Sequence, residues 1–211
     1  MRRALIVVDV QNDFLPGGAL PVPQGREVIS VVNRIMGAFE CVVATQDWHP
    51  ADHLSFASQH PGHREGERVA VDGLEQILWP DHCVQGSPGA ELADGLETER
   101  ITRRFRKGTD REVDSYSGFF DNGHRHATGL DAYLKSSNVR ATYVAGLATE
   151  YCVKYTALDA VRMGFRTWLV ADACRAINQS PEDERRALGE LRDCGVQVTT
   201  SASILSGIAA D

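Results

Sequence analysis

Six side chains suited to chemistry stand where apolar runs of this sequence end: Asp9, Asp47, His49, His82, Lys107 and Cys152. A cysteine is a strong nucleophile as its thiolate; a carboxylate nearby can take the thiol proton, and an ammonium nearby stabilises the anion. Cys152, Asp9 and Lys107 supply one of each. Asp47 and His49 lie two apart at the end of the run Cys41–Thr45, so both side chains can face one way. With His82 they offer a carboxylate and two imidazoles, a donor set suited to zinc, iron or manganese. Cys83 is the alternative to His82, but neighbours i and i+1 rarely aim at one ion, which favours the histidine. His53 is either a fourth ligand or a residue just outside the ligands. His60, His63, His124 and His126 sit in polar, glycine-rich surroundings and read as surface histidines.

Each of these residues also has a plainer use. A lone Cys152 is often a small core hydrophobe, Asp9 a carboxylate that satisfies loop amides, and the basic run before Lys107 a solvated face. The chemical reading gains from position. The apolar run Ala141–Ala145 reads as a buried strand, and Val153, Thr156, Ala157, Ala160, Val161 and Gly164 then fall on one face of a helix. Cys152 stands at that junction, where unpaired N–H groups and the helix dipole should lower a thiol pKa. Asp9 and Lys107 end strands of their own, and open α/β sheets bind ligands beyond the carboxyl ends of their strands.

The elements that must position these groups alternate. Strands are expected at 4–10, 41–45, 99–107, 141–145, 167–172 and 196–200, and helices at 26–39, 126–135, 153–164 and 181–193, the last with Pro181 at its first position. That rhythm predicts a three-layer α/β/α fold, a doubly wound, mostly parallel sheet, in one domain over residues 1–211. Residues 47–99 read as long loops, and Asp114–Phe120 as a loop closing over the same pocket. Hydrophobic content of 43% and charged content of 24% are those of an ordinary globular protein. A net charge of −7 argues against nucleic acid as the main partner. No apolar run approaches the roughly 20 residues of a membrane span. The five cysteines are scattered without paired spacing, which points to a reducing compartment, the cytoplasm. Neither GxGxxG after the first strand nor GxxxxGK[ST] is present, so a dinucleotide or nucleoside triphosphate loses its main support.

Five segments together resemble a known family: Val8–Phe14, Gln46–Pro50, Trp79–Cys83, Lys107–Gly108 and Gly146–Val153. They are similar, in one order along the chain, to the nicotinamidases among the isochorismatase-like hydrolases. The resemblance implies hydrolysis of nicotinamide to nicotinate and ammonia, a step of NAD salvage, with pyrazinamide also accepted. It implies Asp9, Lys107 and Cys152 as a catalytic triad, and the N–H groups of Ala148 and Cys152 as an oxyanion hole next to a cis Leu147–Ala148 peptide. It further implies one divalent metal on Asp47, His49 and His82, zinc first with iron or manganese as alternatives, and His53 as a ligand in some members only. Phe14 and Trp79 match positions that flank the pyridine ring, with Leu147 and Ala148 beside them. Glu150 stands where relatives often have aspartate. Enol-ether or carbamoyl hydrolysis by related folds, a structural zinc module and a thiol redox role are the competing readings. Monomer and homo-oligomer are both left open.

Overall fold

Strand β1 (Arg2–Val8) is buried over its last five residues, as an unbroken apolar run must be in the middle of a covered sheet. The computed structural model describes residues 1–207, and the final four residues of the expected domain lie outside the described residues. After β1 come α1 (Glu27–Met36), β2 (Cys41–Asp47), β3 (Arg68–Val71), β4 (Leu74–Ile77), β5 (Arg103–Lys107) and α2 (Leu130–Ser136). The second half runs β6 (Val139–Leu147), α3 (Lys154–Arg162), β7 (Arg166–Arg175), α4 (Asp183–Asp193), β8 (Gln197–Thr199) and α5 (Ser201–Leu205). Six strands form one sheet in the order β5-β2-β1-β6-β7-β8. Every pairing in it is parallel.

Alternation along the strands splits the apolar residues into two cores. Leu5, Val7 and Tyr143 face α1 and α5, while Ile6, Val8 and Val144 face α2, α3 and α4. Helices therefore cover both faces, as the strand–helix rhythm predicts. The chain turns one way from β1 to β2 and the other way to β6, so the crevice of this doubly wound sheet opens at the carboxyl ends of β1 and β6. Gly146 permits that neighbourhood: at its φ of +130° a Cβ would lie 2.0 Å from the Val8 carbonyl oxygen.

Several boundaries differ from the sequence expectation, each for a local reason. Helix α2 starts at Leu130 rather than residue 126, because Ala127 bridges Phe120 and Gly129 takes a left-handed conformation. Helix α4 starts at Asp183, whose carboxylate accepts from Ser180 N–H and holds Pro181 in the preceding turn. Strand β1 ends at Val8, and Asp9 turns out of it with a φ of +49°. Strand β5 spans only Arg103–Lys107, since Thr98–Arg100 form a 3-10 turn. The stretch 47–99 is not all loop: β3 and β4 pair antiparallel there. Among the described residues no helix is long and apolar enough to cross a membrane.

Candidate active site

The register of the sheet brings the chemical residues together before any side chain is considered. Asp47 pairs with Lys107 at the ends of β2 and β5. Asp9 follows the end of β1, and Cys152 follows the end of β6. The Lys107 Nζ lies 2.9 Å from Asp9 Oδ2, 2.5 Å from Asp47 Oδ1 and 3.3 Å from Cys152 Sγ, and donates to the Ser115 carbonyl at 2.7 Å. Asp9, Lys107, Asp47 and Cys152 are all buried. Burial pulls a lysine pKa down, yet the Asp47 and Asp9 carboxylates hold the Lys107 ammonium well above its ordinary range.

The thiol behaves differently from the sequence expectation. Burial pushes Cys152 well above the usual thiol range; Lys107 opposes this, while Asp9 and Asp47 add to it. Cys152 lies just ahead of the first turn of α3 rather than inside it. It sits in a wide turn, Thr149–Val153, broken by a non-helical Tyr151 at φ −115° and ψ −106°, and regular helix begins only at Lys154. The resting nucleophile is thus held as the thiol, with the Lys107 ammonium 3.3 Å from its sulfur and the Asp9 carboxylate beside that ammonium. That arrangement suits a base that removes the proton when substrate is present. Thr45 Oγ1 donates to Asp9 Oδ1 at 2.6 Å and fixes the carboxylate.

Asp47, His49 and His82 each offer one ligand atom, all within 4.8 Å of one another. The imidazole tautomers follow from their partners. His49 Nδ1 is 2.8 Å from the Gly108 carbonyl and His82 Nδ1 is 2.8 Å from the Pro80 carbonyl. A carbonyl only accepts, so each Nδ1 carries the proton and each Nε2 presents a lone pair. Burial pushes both imidazoles below their usual range, which keeps them neutral. His49 Nε2 is buried with no hydrogen-bond partner. This is a donor set with the chemistry of a divalent-metal site. Gly108 is required for it: at φ +62°, a Cβ there would lie 2.3 Å from the His49 ring. Gln11 clamps the carboxylate's backbone, donating to Asp47 O and accepting from Asp47 N–H, both at 2.8 Å.

His53 comes to the same place, with its ring centroid 4.4 Å from that of His49. Its tautomer is the opposite one. Ser55 N–H donates to His53 Nδ1 at 3.1 Å, so the neutral ring carries its proton on Nε2. Among the described residues Cys83 belongs to none of the candidate ligand sets, and its side chain is buried in the apolar core.

A narrow cavity opens onto these groups, lined by Phe14, Trp79, Tyr116, Ala148, Tyr151 and Cys152, with Asp47, His82 and Asp114 at its polar end. Trp79 donates through Nε1 to Tyr116 Oη at 3.1 Å and meets the Tyr151 ring edge-on at 5.0 Å. Its aromatic walls suit a flat ring. Of the two residues joined by the cis peptide, Ala148 faces this cavity, whereas the Leu147 side chain is packed in the core. His63, His124 and His126 are exposed as expected, and His60 is half-buried on the Leu54 carbonyl. Sequence reasoning missed Thr45, Gln11, Tyr116, Tyr151 and, as a site residue, Asp114. Thr45 had a signal, standing two residues before Asp47 on one strand face; Gln11 had none.

The isochorismatase domain matches residues 3–203. The nicotinamidase of Escherichia coli (strain K12) is 47% identical over 204 residues, 95% of each chain. The solved structure of the Acinetobacter baumanii nicotinamidase and pyrazinamidase superimposes with a TM-score of 0.93 at 42% identity, covering 96% of this chain and 98% of that one. That of the Pyrococcus horikoshii pyrazinamidase in complex with zinc has a TM-score of 0.77 at 40% identity, covering 95% and 99%. A parallel α/β sheet, a buried Asp–Lys–Cys cluster and likeness over nearly the whole length agree, and the chain belongs to the isochorismatase family, in its nicotinamidase group.

Proposed function

We propose that the protein deamidates nicotinamide to nicotinate and ammonia, the step that returns nicotinamide to NAD synthesis, and that pyrazinamide enters the same cavity. The observation that supports this most directly is Lys107 Nζ lying within 3.3 Å of Cys152 Sγ and 2.9 Å of Asp9, at the end of an aromatic cavity. An amide is a weak electrophile with a poor leaving group, so the reaction needs both a strong nucleophile and a proton for the departing nitrogen. Asp9 takes the thiol proton as the sulfur attacks the carboxamide carbon, and Lys107 stabilises negative charge passing through the sulfur. The N–H groups of Ala148 and Cys152 serve the oxyanion, where one donor is worth about 3 kcal/mol. Asp9 then returns its proton to the amide nitrogen; ammonia leaves and a thioester to Cys152 remains. Water attacks that thioester, Asp9 accepts its proton, and nicotinate departs as Cys152 recovers the thiol. Phe14 and Trp79 hold the ring between them.

Asp47, His49 and His82 would hold one divalent ion, with zinc the first expectation. When bound it supplies Lewis acidity that can orient a ring nitrogen or lower the pKa of a water. Three protein ligands rather than four is the pattern of a catalytic site, which disfavours a purely structural zinc. The test is ammonia release from nicotinamide by purified zinc-loaded protein, its loss on chelation and its return with metal. Zinc-loaded protein that releases no ammonia would overturn the proposal.

A further inference from the structure

Three buried carboxylates gather here, Asp9, Asp47 and Asp114, against one buried ammonium, Lys107. Asp9 and Asp47 both pair with Lys107, while Asp114 has no ion-pair partner among the described residues. Buried carboxylates that outnumber the buried ammonium are costly without further compensation, which a bound cation would supply. Asp114 is the carboxylate that Lys107 leaves over. Its carboxylate, His49 and His53 offer ligand atoms within 4.8 Å of one another, a second set sharing His49 with the first. The loop that carries it is pinned: Asp114 N–H donates to buried Gln76 at 2.7 Å, and Asp114 Oδ1 accepts from Ser115 N–H at 2.7 Å. Among the described residues His53 Nε2 is buried with no hydrogen-bond partner and, by the tautomer argued above, is a free donor on a ring within reach of Asp114.

We propose that Asp114 and His53 form an outer pair of the metal centre. Asp114 supplies the negative charge that matches the site to a divalent ion, and His53 works as an N–H donor towards that charge rather than as a fourth ligand. The inference rests on the metal centre proposed above and adds two positioning residues to it. A second consequence follows from Asp114 lining the substrate cavity. It disfavours an anion there, so it weakens the hold on nicotinate, the charged product, relative to neutral nicotinamide.

The test begins with the zinc affinity of the whole protein, by competition with a chromophoric chelator. Asp114→Asn keeps an acceptor for Ser115 N–H and removes only the charge; Asp114→Ser is measured beside it, and the result is read from whichever keeps the wild-type circular-dichroism spectrum. The expected result is zinc bound about 10- to 100-fold more weakly than by wild type. On the zinc-loaded variant, the ratio of nicotinate Ki to nicotinamide KM should fall by about tenfold, a change that a merely structural role would not produce. His53→Gln, which keeps an N–H donor, should leave the visible absorption bands of the cobalt-substituted protein in place. Equal zinc affinity with an unchanged ratio, or shifted cobalt bands in His53→Gln, overturns the outer pair. Wild-type protein that holds no zinc overturns the metal centre itself, and the pair with it.

Discussion

Lys107 Nζ stands between Asp47 Oδ1, at 2.5 Å, and Cys152 Sγ, at 3.3 Å, so one ammonium joins the carboxylate–imidazole set to the thiol. The link comes from strand register, because Asp47 and Lys107 are paired residues at the ends of adjacent strands. Removing the charge should therefore disturb both halves. Lys107→Met leaves Asp9 and Asp47 buried without their cation, and the protein freed of metal should lose about 3–5 kcal/mol of stability in urea unfolding. Turnover should be lost as well, with or without added zinc. A variant as stable and as active as wild type would deny the ammonium both roles.

Cys152→Ala should abolish ammonia release while the fold survives, because the side chain is small, its cavity opens onto the pocket and the surrounding turn is held by backbone bonds to the Ala148 carbonyl. Turnover above a few per cent of wild type, with metal content unchanged, would rule out a covalent route through this residue.

Glu150 gives a prediction for stability rather than activity. One carboxylate oxygen accepts from Asn178 N–H at 2.7 Å, and the other is buried without a partner. Burial pushes its pKa above the ordinary glutamate value, against backbone hydrogen bonds that lower it. The folded protein thus binds this proton more readily than the unfolded chain. The ionised form carries a penalty above the folded pKa, and the penalty fades as pH falls to the unfolded value of about 4.5. Glu150→Gln should then be more stable than wild type at pH 7, with the difference gone near pH 4.5. Urea unfolding at the two pH values measures it, and an equal difference at both would remove ionisation as the cause.

Strand ends were legible from the sequence because apolar runs give way there, to Asp9 after Val8, to Gln46 and Asp47 after Thr45, and to Gly146 after Ala145. Asp9, Asp47, His49, His82, Lys107 and Cys152 stood out for that reason, and the structure gathers them in one buried cluster, of which Asp47, His82 and Cys152 reach the cavity. The hairpin of β3 and β4 had its signal in Asp72-Gly73, both with positive φ. The flanking strands are only four residues each, with one buried residue apiece, too short for a periodic pattern to mark them. Asp114 was read only as part of a covering loop, since nothing local says that its carboxylate turns inward. That fact depends on Gln76, 38 residues away. The Cys152 pKa was misjudged in direction because a sequence marks a strand–helix junction but not the depth at which it is buried.

The division of labour between thiol and metal can be tested with aldehydes, which Cys152 can attack without a leaving group. The sulfur adds to the carbonyl carbon and the thiol proton goes to oxygen, giving a thiohemiacetal. Pyridine-3-carbaldehyde should inhibit wild type strongly and benzaldehyde much less, because only the first carries a ring nitrogen for the Asp47–His49–His82 centre to read. In Cys152→Ala both should bind weakly. In His49→Ala stripped of metal, the thiol remains but the reader of the nitrogen does not, so the preference should shrink towards nothing. Poor orientation of a bound ring can cost several kcal/mol of barrier, so benzamide should also be a far worse substrate than nicotinamide. The decisive quantity is the ratio of the two aldehyde inhibition constants in wild type and in the His49 variant. An unchanged ratio would mean that ring discrimination lies in Phe14, Trp79 and the aromatic walls, leaving the metal only its water.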